Sequence, residues 1–260
     1  MKNFTKIIIL LTLISVSFPD ISFSQVKKTP RKAPKFTLSV ALNYNYAMSK
    51  AYGDVTGFSA IYDSTKGGYI FNANNYGMQQ GGGIQAVGKL ALGKKRRVKL
   101  TLNLGYNLFI NSASSGVYET QWHLFSTSAG IEYNFSPKSR FRSFIGYELV
   151  YTIMFGSWTT NFNTTTAVSN YKVKFNAAHR FGMAVNSGIE FRLTRRTGLL
   201  LGYRAVWANI MPKQNNVSST PYLCECYIND SKDDNGININ FRKQVVYLQV
   251  LAGVSVYFYK

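Results

Sequence analysis

Residues 36–48 read Phe36-Thr37-Leu38-Ser39-Val40-Ala41-Leu42-Asn43-Tyr44-Asn45-Tyr46-Ala47-Met48. Every second side chain is large and apolar, and those between are small or polar. Successive side chains of an extended chain point to opposite faces, so this segment is a strand with one apolar face. It keeps the alternation for thirteen residues, whereas strands of soluble proteins mostly run about five or six.

The same period returns in Val98, Leu100, Leu102, Leu104, Tyr106, Leu108 and Ile110, then in Phe141, Ile145, Tyr147, Leu149, Tyr151, Ile153 and Phe155, and again in Phe181, Met183, Val185, Ile189, Phe191 and Leu193. Weaker versions occupy 78–92, 122–135, 198–210 and 241–259, which predicts eight strands. The segments between them alternate in length: 93–97, 136–140 and 194–197 are short, while 49–75, 111–121, 157–178 and 211–240 are long. Tight turns therefore gather at one rim and long loops at the other. All six prolines fall outside the strands, as they must where each strand donates hydrogen bonds on both sides.

Volume decides which face points inward. The four clearest strands carry far more large apolar side chains on one parity than the roughly twelve that a closed eight-stranded interior can hold. The opposite parity offers glycines such as Gly81, Gly105, Gly146 and Gly188, with Thr, Asn, Gln and scattered charges. Apolar outside and polar inside is the pattern of a transmembrane β-barrel. The expected fold is thus all-β: an eight-stranded antiparallel up-and-down transmembrane β-barrel. A secreted two-sheet sandwich is the competing arrangement, because its core holds more apolar residues. Aromatics near the strand ends, Phe135, Phe141, Phe191 and Phe258 at one rim and Tyr46, Phe155, Phe181 and Trp207 at the other, are expected to form interfacial girdles.

The N-terminus carries a different signal. Lys2 and Lys6 flank the start of an apolar run from Ile7 to Phe18, and Ser22-Phe23-Ser24 precedes Gln25. This is the layout of a secretory signal peptide, cleaved near Ser24/Gln25; the run is too short to span a bilayer as a helix. The expected organisation is a signal peptide at 1–24, a basic tail at 25–35 and the barrel at 36–260.

The chain has 260 residues, 30 Lys+Arg against 11 Asp+Glu, a net charge of +19, 15% aromatic residues and 2 Cys. The aromatic content argues against a disordered polycation, and two cysteines exclude a disulfide framework. A basic balance first suggests nucleic acid, but the charge is placed otherwise. Lys27, Lys28, Arg31, Lys32 and Lys35 lie in the tail, and Lys94, Lys95, Arg96, Arg97, Lys138, Arg140, Arg195 and Arg196 lie in or beside the tight turns. All thirteen fall on one rim, which suits anionic lipids or an acidic periplasmic partner and not nucleic acid.

Inward parity adds a second charged group: Glu132, Glu148 and Glu190 with Lys89, Lys99, Arg142, Arg180, Arg192 and Arg204. Charges confined in a lumen must pair; Glu132 is expected to meet Arg142 across the 136–140 turn, and Glu148 to meet Arg204. Such pairs would plug the lumen. Were ions to pass, the excess of bases would favour anions. The only histidines, His123 and His179, sit on the lipid-facing parity and cannot meet across the lumen, so no catalytic group is expected, and no cofactor or metal site either. Cys224 and Cys226, in the longest predicted loop, are candidates for a small strained disulfide rather than a metal site. The Asn-, Thr- and Ser-rich long loops suit adaptable contact surfaces.

The signal peptide, the eight alternating strands and the final strand Val246, Leu248, Val250, Ala252, Val254, Val256 and Phe258 resemble the small eight-stranded outer-membrane barrels of Gram-negative bacteria, the OmpA-type and PorT-like families. The final strand is similar to the C-terminal signal read by the outer-membrane assembly machinery, although it ends in Tyr259-Lys260 rather than in an aromatic. Asp63-Ser64-Thr65 is similar to the short O-glycosylation motif of Bacteroidetes. The resemblance implies a non-enzymatic protein of the cell outer membrane, embedded in its lipid and acting as a scaffold. A narrow anion-preferring pore, or an accessory barrel of a Bacteroidetes type IX secretion pathway docked through its basic tail, are the alternatives.

Overall fold

A computed structural model describes residues 33–55, 59–63, 68–72, 75–112, 118–164, 167–211, 225–226, 230 and 243–259. The alternating segments become the barrel strands β1 (Phe36–Met48), β2 (Gln80–Leu92), β3 (Val98–Ser112), β4 (Tyr118–Asn134), β5 (Phe141–Thr164), β6 (Ala167–Arg192), β7 (Thr197–Trp207) and β8 (Val246–Phe258). Each pairs antiparallel with its neighbour in sequence, and β1 pairs with β8 from Phe36↔Phe258 to Met48↔Val246, which closes the ring. A short hairpin, Ser59–Asp63 with Gly68–Asn72, lies between β1 and β2.

The ring is staggered. Cross-strand partners lead from Phe36 to Leu90, Leu100, Ile131, Tyr147, Val185, Ala205 and Leu248, and return to β1 at Tyr46, ten residues further along. Such a shear forces the strands to tilt strongly against the barrel axis. The residues on this path lie on the outer face, where Leu42 is 68% exposed, Leu149 65% and Leu201 62%. A contiguous apolar surface of that extent is stable in hydrocarbon and not in water.

Two expectations are corrected. The segment 157–178 is not a loop: β5 and β6 continue past the barrel as a ladder from Gly156↔Phe175 to Thr164↔Ala167. Its Thr-rich composition suits a pleated ribbon as well as a loop. A bulge accompanies the change, because Met154 pairs with Ala178 whereas Gly156 pairs with Phe175, leaving β6 one residue longer. That extra residue reverses facing on β6, so Phe175 turns inward and is buried. The boundaries of the four weaker strands shift as well: β2 starts at Gln80, β4 starts at Tyr118, β7 stops at Trp207 and β8 starts at Val246.

The predicted signal peptide and tail residues Lys27, Lys28, Arg31 and Lys32 lie outside the described residues. So do Ser64, Thr65 and Cys224. Lys35 is exposed and extends the ladder, its N–H donating to the Phe258 carbonyl at 2.8 Å and its carbonyl accepting from Ala91 at 2.7 Å.

Candidate functional site

The lumen is filled in three tiers, here called floor (tight-turn end), waist and mouth (long-loop end). All nine charged side chains expected on the inner face are there, none more than 6% exposed.

At the floor, Lys89 Nζ lies 2.7 Å from Glu132 and 2.8 Å from Glu190, and Lys99 Nζ lies 3.1 Å from Glu132. The expected Glu132–Arg142 pair does not form. Glu132 takes the two lysines, and Arg142 approaches Glu190 at 3.4 Å. The reason is register: Lys99 is directly opposite Glu132, and Arg142 directly opposite Glu190, whereas Glu132 and Arg142 are not opposed, and directly opposed side chains lie closer. Arg142 is fully buried, rests 4.1 Å over the Tyr257 ring, and its Nε and Nη1 make no hydrogen bond among the described residues. Together with Arg192, four bases share this tier with two acids.

At the waist every charge is matched. Glu148 accepts from Ser128 Oγ at 2.6 Å and Asn186 Nδ2 at 2.7 Å, and from Arg204 Nη2 at 2.9 Å, the pairing expected from the sequence. Arg204 Nη1 donates to Gln249 at 3.0 Å; Gln249 Nε2 donates to Asn45 at 2.9 Å and Asn107 at 2.8 Å; Asn43 donates to the same Asn107 oxygen at 2.8 Å. These bonds tie seven of the eight strands together, all but β2. On β2, Gly83 makes room: a Cβ there would meet Asn43 Oδ1 at 2.5 Å and Asn107 Oδ1 at 2.6 Å. The amides were not among the sequence candidates, although their inward parity on otherwise apolar strands was a signal for them.

At the mouth the expectation of a polar lumen fails. Trp122 stacks on Phe175 with centroids 4.9 Å apart, Trp158 meets Phe175 at 4.6 Å, and Phe109 meets Tyr247 at 5.3 Å. Met78, Leu124 and Met154 complete an apolar stopper. A Cβ at Gly156 would stand 2.6 Å from the Trp122 ring, so glycine is what admits the indole. Within the same tier, Asp230 is fully buried and holds Arg180 Nε at 2.6 Å and the Tyr76 hydroxyl at 2.5 Å. Burial and the Asp230 carboxylate hold the Tyr76 hydroxyl protonated well above the ordinary tyrosine range. Lys243, also buried, donates its backbone N–H to the Asp230 carbonyl at 2.7 Å. Asp230 falls within the segment 211–240 that the sequence reads as a long loop. Among the described residues, counting Asp230 and Lys243 leaves the lumen excess at three positive charges: two at the floor, none at the waist, one at the mouth.

The remaining candidates are dispersed. Lys94, Lys95, Arg97, Lys138, Arg140, Arg195 and Arg196 are exposed at the tight-turn rim, and Arg96 is half-buried there. His123 and His179 face outward on separate strand pairs, sharing hydrogen bonds with Tyr106 at 2.7 Å and Tyr151 at 2.6 Å. Cys226 lies on a two-residue strand, Glu225–Cys226, parallel to β6 at Lys174 and Phe175; its side chain lies outside the described residues, as does the expected bridge to Cys224.

No family model matches the chain, and no curated protein matches it. Among solved structures the chain is similar to Neisserial surface protein A, at 16% identity over 87% of this chain and 99% of that one, with a TM-score of 0.44. It is also similar to the outer membrane protein OprG from Pseudomonas aeruginosa, at 10% identity over 88% and 98%, TM-score 0.44. A third is a major outer membrane protein from Thermus thermophilus, at 11% identity over 86% and 99%, TM-score 0.46.

Proposed function

We propose that the protein is an integral barrel of the cell outer membrane, non-enzymatic, that works as a rigid scaffold. Its lumen is closed, its long loops face outward and its basic rim faces the periplasm. The observation that supports this is the continuous filling of the lumen, from the charge cluster at the floor through the waist hydrogen bonds to the Trp122–Phe175 stopper. A core packed in this way resists shear and, among the described residues, fills the cross-section that a water-filled path would need. Reconstitution in a planar bilayer tests it: the expected record is silent, and steady unitary conductance would overturn the closed scaffold.

The floor surplus, four bases around two acids, supports a second reading, a narrow pore that prefers anions. If conductance is seen, a reversal potential indicating cation selectivity would sink that alternative. The finer placement, an accessory barrel of a Bacteroidetes secretion pathway, draws on the tail Lys27-Lys28-Thr29-Pro30-Arg31-Lys32-Ala33-Pro34-Lys35 as a dock for an acidic periplasmic partner. A pull-down that recovers the same partner with and without residues 26–35 would remove it.

A further inference from the structure

The rim arginines do not all extend into solvent, and the direction they take points to a ligand. The turn before β3 and the turns joining β4 to β5 and β6 to β7 adjoin one another, because the Asn134 N–H donates to the Arg97 carbonyl at 2.7 Å and the Arg192 N–H to the Arg140 carbonyl at 2.9 Å. Along this arc two guanidiniums bend back over the apolar outer wall. Arg140 lies 4.7 Å over the ring of Phe191, and its Nε donates to the Arg192 carbonyl at 3.2 Å. Arg97 Nη1 donates to the Tyr133 hydroxyl at 3.3 Å. The rings they reach belong to the lipid-facing girdle: Phe191 packs on Phe141 with centroids 4.7 Å apart, and Tyr133 packs on Phe135 at 5.2 Å. Phe141 is 51% exposed and Tyr133 37%.

Cations seated on interfacial aromatics stand at the depth of the headgroups, with an apolar wall directly beneath. An anionic phospholipid fits that arrangement: its phosphate meets the guanidinium fork while its acyl chains lie along the wall. An acidic soluble protein would instead need the cations turned away from the membrane, as at the exposed turn tip Lys94-Lys95. No acidic residue lies in these three turns to compete for the phosphate. We infer that the β3–β6 arc of the tight-turn rim is a binding site for anionic phospholipid, with Arg97 and Arg140 as the phosphate-binding residues. The inference rests on the transmembrane barrel and not on whether its lumen conducts.

The test is native mass spectrometry of the full-length protein released from phosphatidylglycerol or phosphatidylcholine nanodiscs. The wild type is expected to retain phosphatidylglycerol and shed phosphatidylcholine. Arg97→Gln/Arg140→Gln should lose most of that retention, while Lys94→Gln/Lys95→Gln, which removes the same charge from the turn tip, should keep it. Heat-modifiable migration on gels confirms that each variant is folded. Equal loss in the two variants, equal retention of both lipids, or displacement of the lipid by soluble glycerol phosphate would each overturn the site. So would an acidic polypeptide that binds through Arg97 and Arg140 while lipid retention is unchanged. Conductance is recorded on the same samples, so that a failed lipid site and a failed scaffold are told apart.

Discussion

The waist and the floor are built from the same materials, inward-facing acids and bases within one tilted barrel, yet they meet the cost of buried charge differently. At the waist one acid and one base are matched and their remaining hydrogen-bonding capacity is taken up by Ser128, Asn186 and Gln249. At the floor four bases crowd two acids, and the Arg142 guanidinium approaches Glu190 without hydrogen-bonding through Nε or Nη1. A matched pair stabilises through both partners, so either loss strands the other. A surplus makes the acids indispensable and at least one base expendable.

Unequal responses to substitution would sharpen this contrast, and equal ones would break it. The largest effect is expected at the waist: Glu148→Leu and Arg204→Met should each cost about 3–5 kcal/mol by urea unfolding in detergent, and the double variant should recover most of the loss. At the floor, Glu190→Gln should cost somewhat less, about 2–4 kcal/mol, because Lys89 and Lys99 keep Glu132 while Arg142 loses its carboxylate. The mouth comes third. Asp230→Asn weakens the bonds to Arg180 and Tyr76 and should cost about 1–3 kcal/mol, read as faster amide exchange near Met78 with the waist unchanged. The smallest effect belongs to Arg142→Gln, expected within about 1 kcal/mol of wild type. If Arg142→Gln proves as damaging as Arg204→Met, the floor is balanced by contacts other than those described and the contrast fails.

The strands, their facing and the basic rim were legible because each is written locally. Phe36–Met48 declares its apolar face through a period of two, and the tight turns display their own lysines and arginines. The inward parity of Glu132, Glu148 and Glu190 followed from the same rule. Other features resisted. Phe175 has the parity of a lipid-facing residue and is turned inward by a bulge that no local pattern marks. Trp122 lies inside because Gly156 leaves it room and the Tyr76 carbonyl accepts from its indole, and Phe109 because it packs on Tyr247; large aromatics on a polar parity look like exceptions until those contacts are seen. Asp230 lies far along the chain from its hydroxyl partner Tyr76.

What the sequence determined by itself was therefore the barrel, its apolar outside and the end on which its positive charge sits, since alternation and turn composition act over neighbouring residues. Only the tertiary structure decided which charges meet. A stagger of ten residues around the ring brings Lys89 against Glu190, 101 residues away, and lets the same lysine take Glu132 in place of Arg142. Closure sets that stagger through all eight strand registers at once, and no single segment contains it.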